Sequence, residues 1–189
     1  MGVQLVYETH STSVDNEVGR ATGWLGGALS EAGREQARRL GSRRRHDGID
    51  LVVASDLNRA VETARIAFEG SEIPVTLDWR LRECDYGSMN GMPRARLDAE
   101  RRARLDTPFP GGESWRQAVA RVVGALDEIA QERSGQRVLL IGHVATRWAL
   151  DHTLLGMPLE TLVEAPFAWQ EGWEYALPDG RDRHARARA

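Results

Sequence analysis

Apolar and polar positions along this chain follow two rhythms: short apolar runs of strand length, and longer stretches with apolar residues three and four apart. Residues 3–7 read as a buried strand that turns polar at Glu8 and leads to His10. The runs 49–55 ("IDLVVAS"), 73–78 ("IPVTLD") and 136–143 ("QRVLLIGH") predict a second, third and fourth strand, and 173–178 ("WEYALP") a last one. The fourth run is almost wholly apolar, which predicts a central strand covered on both faces. Helical patterns occupy 31–45, 57–68, 114–133 and 145–155, with an arginine-rich helical piece after Pro93. Ser30 and Ser114 suit the N-caps of two of these helices, and Ser55 or Asp56 that of a third. Residues 22–30 and 80–93 are glycine-rich and read as loops.

Strand followed by helix, repeated, predicts an α/β fold: three layers, with a mostly parallel central sheet flanked by helices. Residues 1–180 read as a single domain and 181–189 ("RDRHARARA") as a disordered tail. In such sheets ligands bind beyond the carboxyl ends of the strands. His10 ends the first strand and His143 the fourth, so both are expected on one edge. Asn16, in the loop after His10, belongs to the same edge, as does Glu83 after the third strand. Arg59 falls in the first turn of the helix after strand two, where backbone N–H groups also face anions. Taken singly, each histidine reads more readily as a structural residue satisfied by hydrogen bonds. Together they supply a nucleophile, a cation and a carboxyl acid, the parts that phosphoryl transfer requires.

Charge and composition narrow the partners. Net charge is -3 and the pI about 6.0, so no global basic field attracts nucleic acid or an anionic membrane. All 25 basic residues are arginine, whose planar fork suits anions such as phosphate. The triple arginine 43–45 fits a helix C-terminus through the dipole. The lone Cys84 excludes an intramolecular disulfide framework and a multi-cysteine zinc site, and it reads as inert. No stretch approaches the ~18 apolar residues of a membrane span, and the first residues lack the pattern of a signal peptide. A cytoplasmic protein is the expectation.

The motifs, taken in order, resemble the histidine phosphatase superfamily, which includes the cofactor-dependent phosphoglycerate mutases. The resemblance covers about residues 5–157. It rests on H-x5-N-x3-R-x2-GW (His10, Asn16, Arg20, Gly23, Trp24), "LSEAGREQA" (29–37), "SDLNRAVETA" (55–64), "LRECDYGSMNG" (81–91), "PGGES" (110–114) and "VLLIGH" (138–143). It implies that His10 becomes phosphohistidine and that Arg59 clamps the phosphoryl oxygens. Glu83 would protonate the leaving oxygen and later deprotonate water. His143 would stabilise the transferring group, and Asn16 would add a polar contact. No metal or other cofactor is implied, and the expected partner is a small phosphorylated or otherwise anionic substrate. Only about thirty residues separate Glu83 from "PGGES", where the mutases of this superfamily carry a larger insertion, so the expectation is a phosphatase.

One departure stands out. The superfamily's first motif is Arg-His-Gly, whereas this chain reads Thr9-His10-Ser11. A charge-assisted hydrogen bond contributes ~1.5–3 kcal/mol, so losing the arginine costs roughly tenfold to a hundredfold in binding or rate. Glu8 adds a carboxylate close by. Arg20, Arg82 and Arg147 are the candidates to replace the missing cation, with Thr9 and Ser11 as possible substrate contacts. Two alternatives therefore stay open beside the phosphatase: a relative acting on a less negatively charged substrate, and an inactive anion-binding module.

Overall fold

The computed structural model describes residues 2–179; the expected tail at 181–189 lies outside them. The strands are β1 (Val3–Thr9), β2 (Arg20–Ala21), β3 (Leu51–Ala54), β4 (Val75–Leu77), β5 (Met92–Pro93), β6 (Arg137–Gly142) and β7 (Trp173–Leu177). The helices are α1 (Val14–Glu17), α2 (Glu31–Arg44), α3 (Asn58–Phe68), α4 (Arg94–Glu100), α5 (Trp115–Glu132), α6 (Val144–Leu155) and α7 (Leu159–Glu164). Five strands form one sheet in the order β4-β3-β6-β1-β7. All neighbours run parallel except β7, which pairs antiparallel with β1. The apolar β6 is the middle strand, as its composition predicts.

Alternation along the strands sorts the core into two layers. Leu5 and Tyr7 face a cluster with Val122, Leu126 and Trp148 of α5 and α6. Val6 faces the opposite cluster, with Leu40 of α2 and Ala60, Ala64 and Ala67 of α3. Glu8 continues the register of Val6 and so points toward α2, where it is 2% exposed. There Arg44 Nε donates to its Oε1 at 2.9 Å, with Arg43 at 3.5 Å. The carboxylate beside the expected nucleophile is thus turned away from it. The triple arginine is a structural clamp, since Arg45 Nε also donates to the carbonyl of Ala67 at 2.6 Å.

Ser30 and Ser114 cap α2 and α5, the latter through a capping box with Gln117. The expected cap of α3 is corrected: Leu57 occupies that position, without a side-chain cap bond. Ser55 and Asp56 are engaged elsewhere, with His143 and Arg82. β5 lies inside a segment that reads as a loop, and α1 and β2 fall in the stretch after His10 for which no element is predicted. Two- to four-residue elements leave no periodicity to read.

α2 crosses α3 closely at Gly41, where a Cβ would collide with the carbonyl of Ala67. Alanine ordinarily strengthens a helix interior by about 1 kcal/mol over glycine. Here the collision with backbone reverses the sign. Gly41→Ala is expected to destabilise by about 1–3 kcal/mol in urea denaturation; a stabilised variant would contradict the close crossing.

Candidate active site

Parallel pairing of β1 with β6 sets the site. Thr9 pairs with Gly142 across the two strands, and the His10 N–H donates to the carbonyl of Gly142 at 3.0 Å. The next residue of each strand is therefore a histidine, and the two rings meet with centroids 4.9 Å apart. β3 pairs with the other side of β6 and ends at Ala54, just before Ser55, so α3 brings Arg59 to the same edge.

Arg59 is 2% exposed. Its Nε donates to His10 Nε2 at 3.3 Å, and its Nη2 to His143 Nδ1 at 3.3 Å. The remaining bonds go to the carbonyls of Gly23 at 2.9 Å and Leu25 at 3.4 Å. A guanidinium only donates, so both imidazole nitrogens facing it are unprotonated. His10 must then carry its proton on Nδ1, which donates to the carbonyl of Ser11 at 2.8 Å. His143 carries its proton on Nε2, which donates to Ser55 Oγ at 2.9 Å. One cation fixes both tautomers.

Charge agrees with the hydrogen bonding. Burial first, and then the Arg59 cation, push His10 down to about 3. Burial, Arg59 and His10 hold His143 well below the ordinary imidazole range. Burial also lowers Arg59 itself, opposed by the charges of Glu83 and Asp15.

Glu83 is 9% exposed. Its Oε1 accepts from the backbone N–H groups of Cys84 at 2.9 Å and Ala145, in the first turn of α6, at 3.2 Å. Its carbonyl is gripped by Trp24 Nε1 at 2.6 Å and Arg121 Nη2 at 3.1 Å. Arg121 in turn is bound through both nitrogens of its fork to Glu113.

His10, Arg59, Glu83 and His143 line one cavity of about 400 Å³ with Thr9, Asn16 and Arg20. Asn16 Oδ1 also accepts from Ser13 N–H in the capping box of α1. Ser11 is not on the wall: its side chain is buried and its N–H donates to Thr63 Oγ1. Of the three replacement cations, two are corrected. Arg82 forms a two-pronged pair with Asp56 at 2.6 and 2.7 Å. Arg147 is bound to Asp151 at 2.7 Å and lies over Trp173, 4.3 Å from the ring centroid. Both are held outside the cavity, while exposed Arg20 stands at its mouth. Arg94, Phe167 and Trp169 share that mouth.

Sequence reading missed Ser55, taken for a cap, and Arg121, which no motif singled out. The position of Ser55 at the carboxyl end of a strand was the available signal. Cys84 is buried and its thiol is pushed up strongly by burial and the Glu83 charge. Among the described residues no group of three or more His, Cys, Asp or Glu side chains is arranged to hold a metal ion, and no helix is long and apolar enough to cross a membrane.

The sign of the His10 shift gives a direct test. A pKa of about 3 in the fold against ~6.5 for a free imidazole leaves His10 neutral throughout that window. The unfolded chain takes up its proton there, so this residue's contribution to stability falls as pH drops from ~6.5. A nitrogen-15 NMR titration should find His10 untitrated from pH 8 to about 5, protonated on Nδ1 only. A midpoint near ~6.5 would refute the arrangement.

Comparison with known proteins places this geometry. Residues 9–170 match the model of the histidine phosphatase superfamily (branch 1). A probable phosphoglycerate mutase GpmB of Erwinia tasmaniensis is 34% identical over 164 residues, 82% of this chain and 76% of the relative. Phosphoserine phosphatase 1 of Hydrogenobacter thermophilus is 31% identical over 165 residues, 83% of this chain and 78% of the relative. Among solved structures, YhfR of Bacillus stearothermophilus superposes with a TM-score of 0.79 at 26% identity, covering 94% of this chain and 96% of that one. A mycobacterial glucosyl-3-phosphoglycerate phosphatase superposes with a TM-score of 0.73 at 29% identity, covering 86% and 84%. A mostly parallel sheet with two histidines at adjacent strand ends, and a family match across most of its length, make this chain a member of the histidine phosphatase superfamily.

Proposed function

We propose that this chain is a phosphatase that hydrolyses small phosphomonoesters through a phosphohistidine intermediate on His10. The observation that carries this reading is Arg59, a buried guanidinium whose hydrogen bonds go to two imidazoles and two carbonyls and none to a carboxylate. A buried cation without a paired anion is costly, and a phosphoryl group entering the cavity supplies the counter-charge. The relatives named as phosphatases of phosphoserine and of glucosyl-3-phosphoglycerate are in keeping with a small ester.

In this mechanism the Nε2 lone pair of His10 attacks phosphorus while Nδ1–H stays on the Ser11 carbonyl. The bond to the leaving oxygen breaks, Glu83 gives that oxygen its proton, and Arg59 and His143 meet the charge on the equatorial oxygens. Water then attacks the phosphohistidine, passes a proton to Glu83, and orthophosphate leaves neutral His10 behind. The burial that keeps Nε2 unprotonated removes any need for a separate base to activate the nucleophile.

With EDTA present, the wild-type protein should hydrolyse p-nitrophenyl phosphate, and His10→Ala should lose on the order of 10³-fold or more in kcat. Glu83→Gln should cost about 10²–10⁴-fold. No turnover by the wild type between about pH 5 and 8, or turnover unchanged in His10→Ala, would reject the phosphatase.

A further inference from the structure

We propose that the cavity takes its reacting phosphoryl group as a monoanion, a phosphodiester or the singly protonated form of a monoester, in preference to the monoester dianion. This inference rests on the phosphatase reading above and concerns which ionic form that site accepts.

The argument is a count of fixed charges around the reacting atom. From α3, Arg59 contributes the buried cation. The strand ends contribute His10 and His143, and hydrogen bonding leaves both neutral, because each spends a lone pair on Arg59 and its proton on a neutral oxygen. The loop after β4 contributes Glu83, which enters the proposed reaction as the uncharged acid and so adds no cation. From α1, Asp15 lies close enough to act on Arg59, and its Oδ2 accepts from Thr22 Oγ1 at 2.9 Å. Behind Glu83, Arg121 is committed to Glu113.

At the position before the nucleophile the side chain is Thr9, which lines the cavity without charge. The two other arginines on the wall do not restore the balance. Arg94 shares Asp98 with Arg101, each at 3.0 Å, and its side chain is 42% exposed; Arg20 is exposed at the mouth, so water screens both. The interior therefore offers one positive charge, that of Arg59. A monoanion is neutralised by it; the second charge of a dianion is desolvated without a partner.

The test compares two esters with the same leaving group, p-nitrophenyl phosphate and methyl p-nitrophenyl phosphate, using wild type and His10→Ala. The methyl ester is a monoanion at every pH used. Above the second ionisation of the monoester, near ~6 for alkyl phosphates and lower for this ester, its kcat/KM should fall about tenfold per pH unit. The methyl ester should be turned over in a His10-dependent way, and because loss of the Glu83 acid slows both esters alike, the fall is read in the ratio of monoester to methyl-ester kcat/KM. Thr9→Arg should recover the monoester rate at high pH by about ten- to a hundredfold relative to the methyl ester.

A monoester profile that stays level to high pH while still needing His10 would overturn the proposal and leave the phosphatase standing. So would a fall shared equally by both esters, which leaves that ratio level and belongs to Glu83, or a methyl ester that is not turned over. Absence of His10-dependent turnover of either ester would remove the phosphatase reading and the proposal together.

Discussion

A guanidinium withdrawn from water costs several kcal/mol unless its donors are met, and in this fold Arg59 meets that cost with two imidazoles and the carbonyls of Gly23 and Leu25. Its contacts join three parts of the chain that are far apart in sequence: the end of β1, the glycine-rich loop and the end of β6. The same contacts decide where the protons of His10 and His143 sit. The catalytic geometry is thus a consequence of satisfying one buried cation, and the parallel pairing of β1 with β6 is what allows it. Were these two strands not neighbours, no single side chain could span both rings.

The outer supports follow from the same constraint. Glu83 stays at the start of α6 because its backbone is held from behind by Trp24 and Arg121, and Arg121 is fixed by Glu113. Ser55, at the end of β3, closes the far side of His143. The supports come from a strand end, a helix face and two loops beside the sheet edge, which together hold the reacting groups against the sheet.

Much of this was legible before any coordinates. Period and strand-end position were enough to place His10, His143, Arg59 and Glu83 on one edge, and the apolar run 138–142 gave the central strand. What failed was local and contact-dependent. Ser55 looks like a cap because serine commonly caps helices; only the proximity of His143 redirects it. Arg82 and Arg147 look like free cations because the sequence does not show that Asp56 and Asp151 are within reach. Glu8 is instructive in a different way. Its even register with Val6 pointed it toward α2 from the outset, and Arg43 and Arg44 at the end of that helix were its partners. Strand alternation carried that information, though the contact itself had to be seen.

Glu8 and Arg44 have a consequence for how the molecule responds to ionic strength. Arg44 also donates to the carbonyl of Glu171, and Arg43 reaches the Glu171 carboxylate, so the pair anchors the segment that carries Phe167 and Trp169 to the cavity mouth. With side-chain exposures of 3% and 11%, the pair lies largely beyond the reach of dissolved ions. Arg20, in contrast, is exposed and its attraction for an approaching anion fades as the screening length shortens to ~8 Å at physiological salt. Added salt therefore weakens the long-range pull on the substrate while leaving the Glu8–Arg44 pair behind the mouth intact. In this protein, how substrate is gathered and how the entrance is held are governed by two separate sets of arginines.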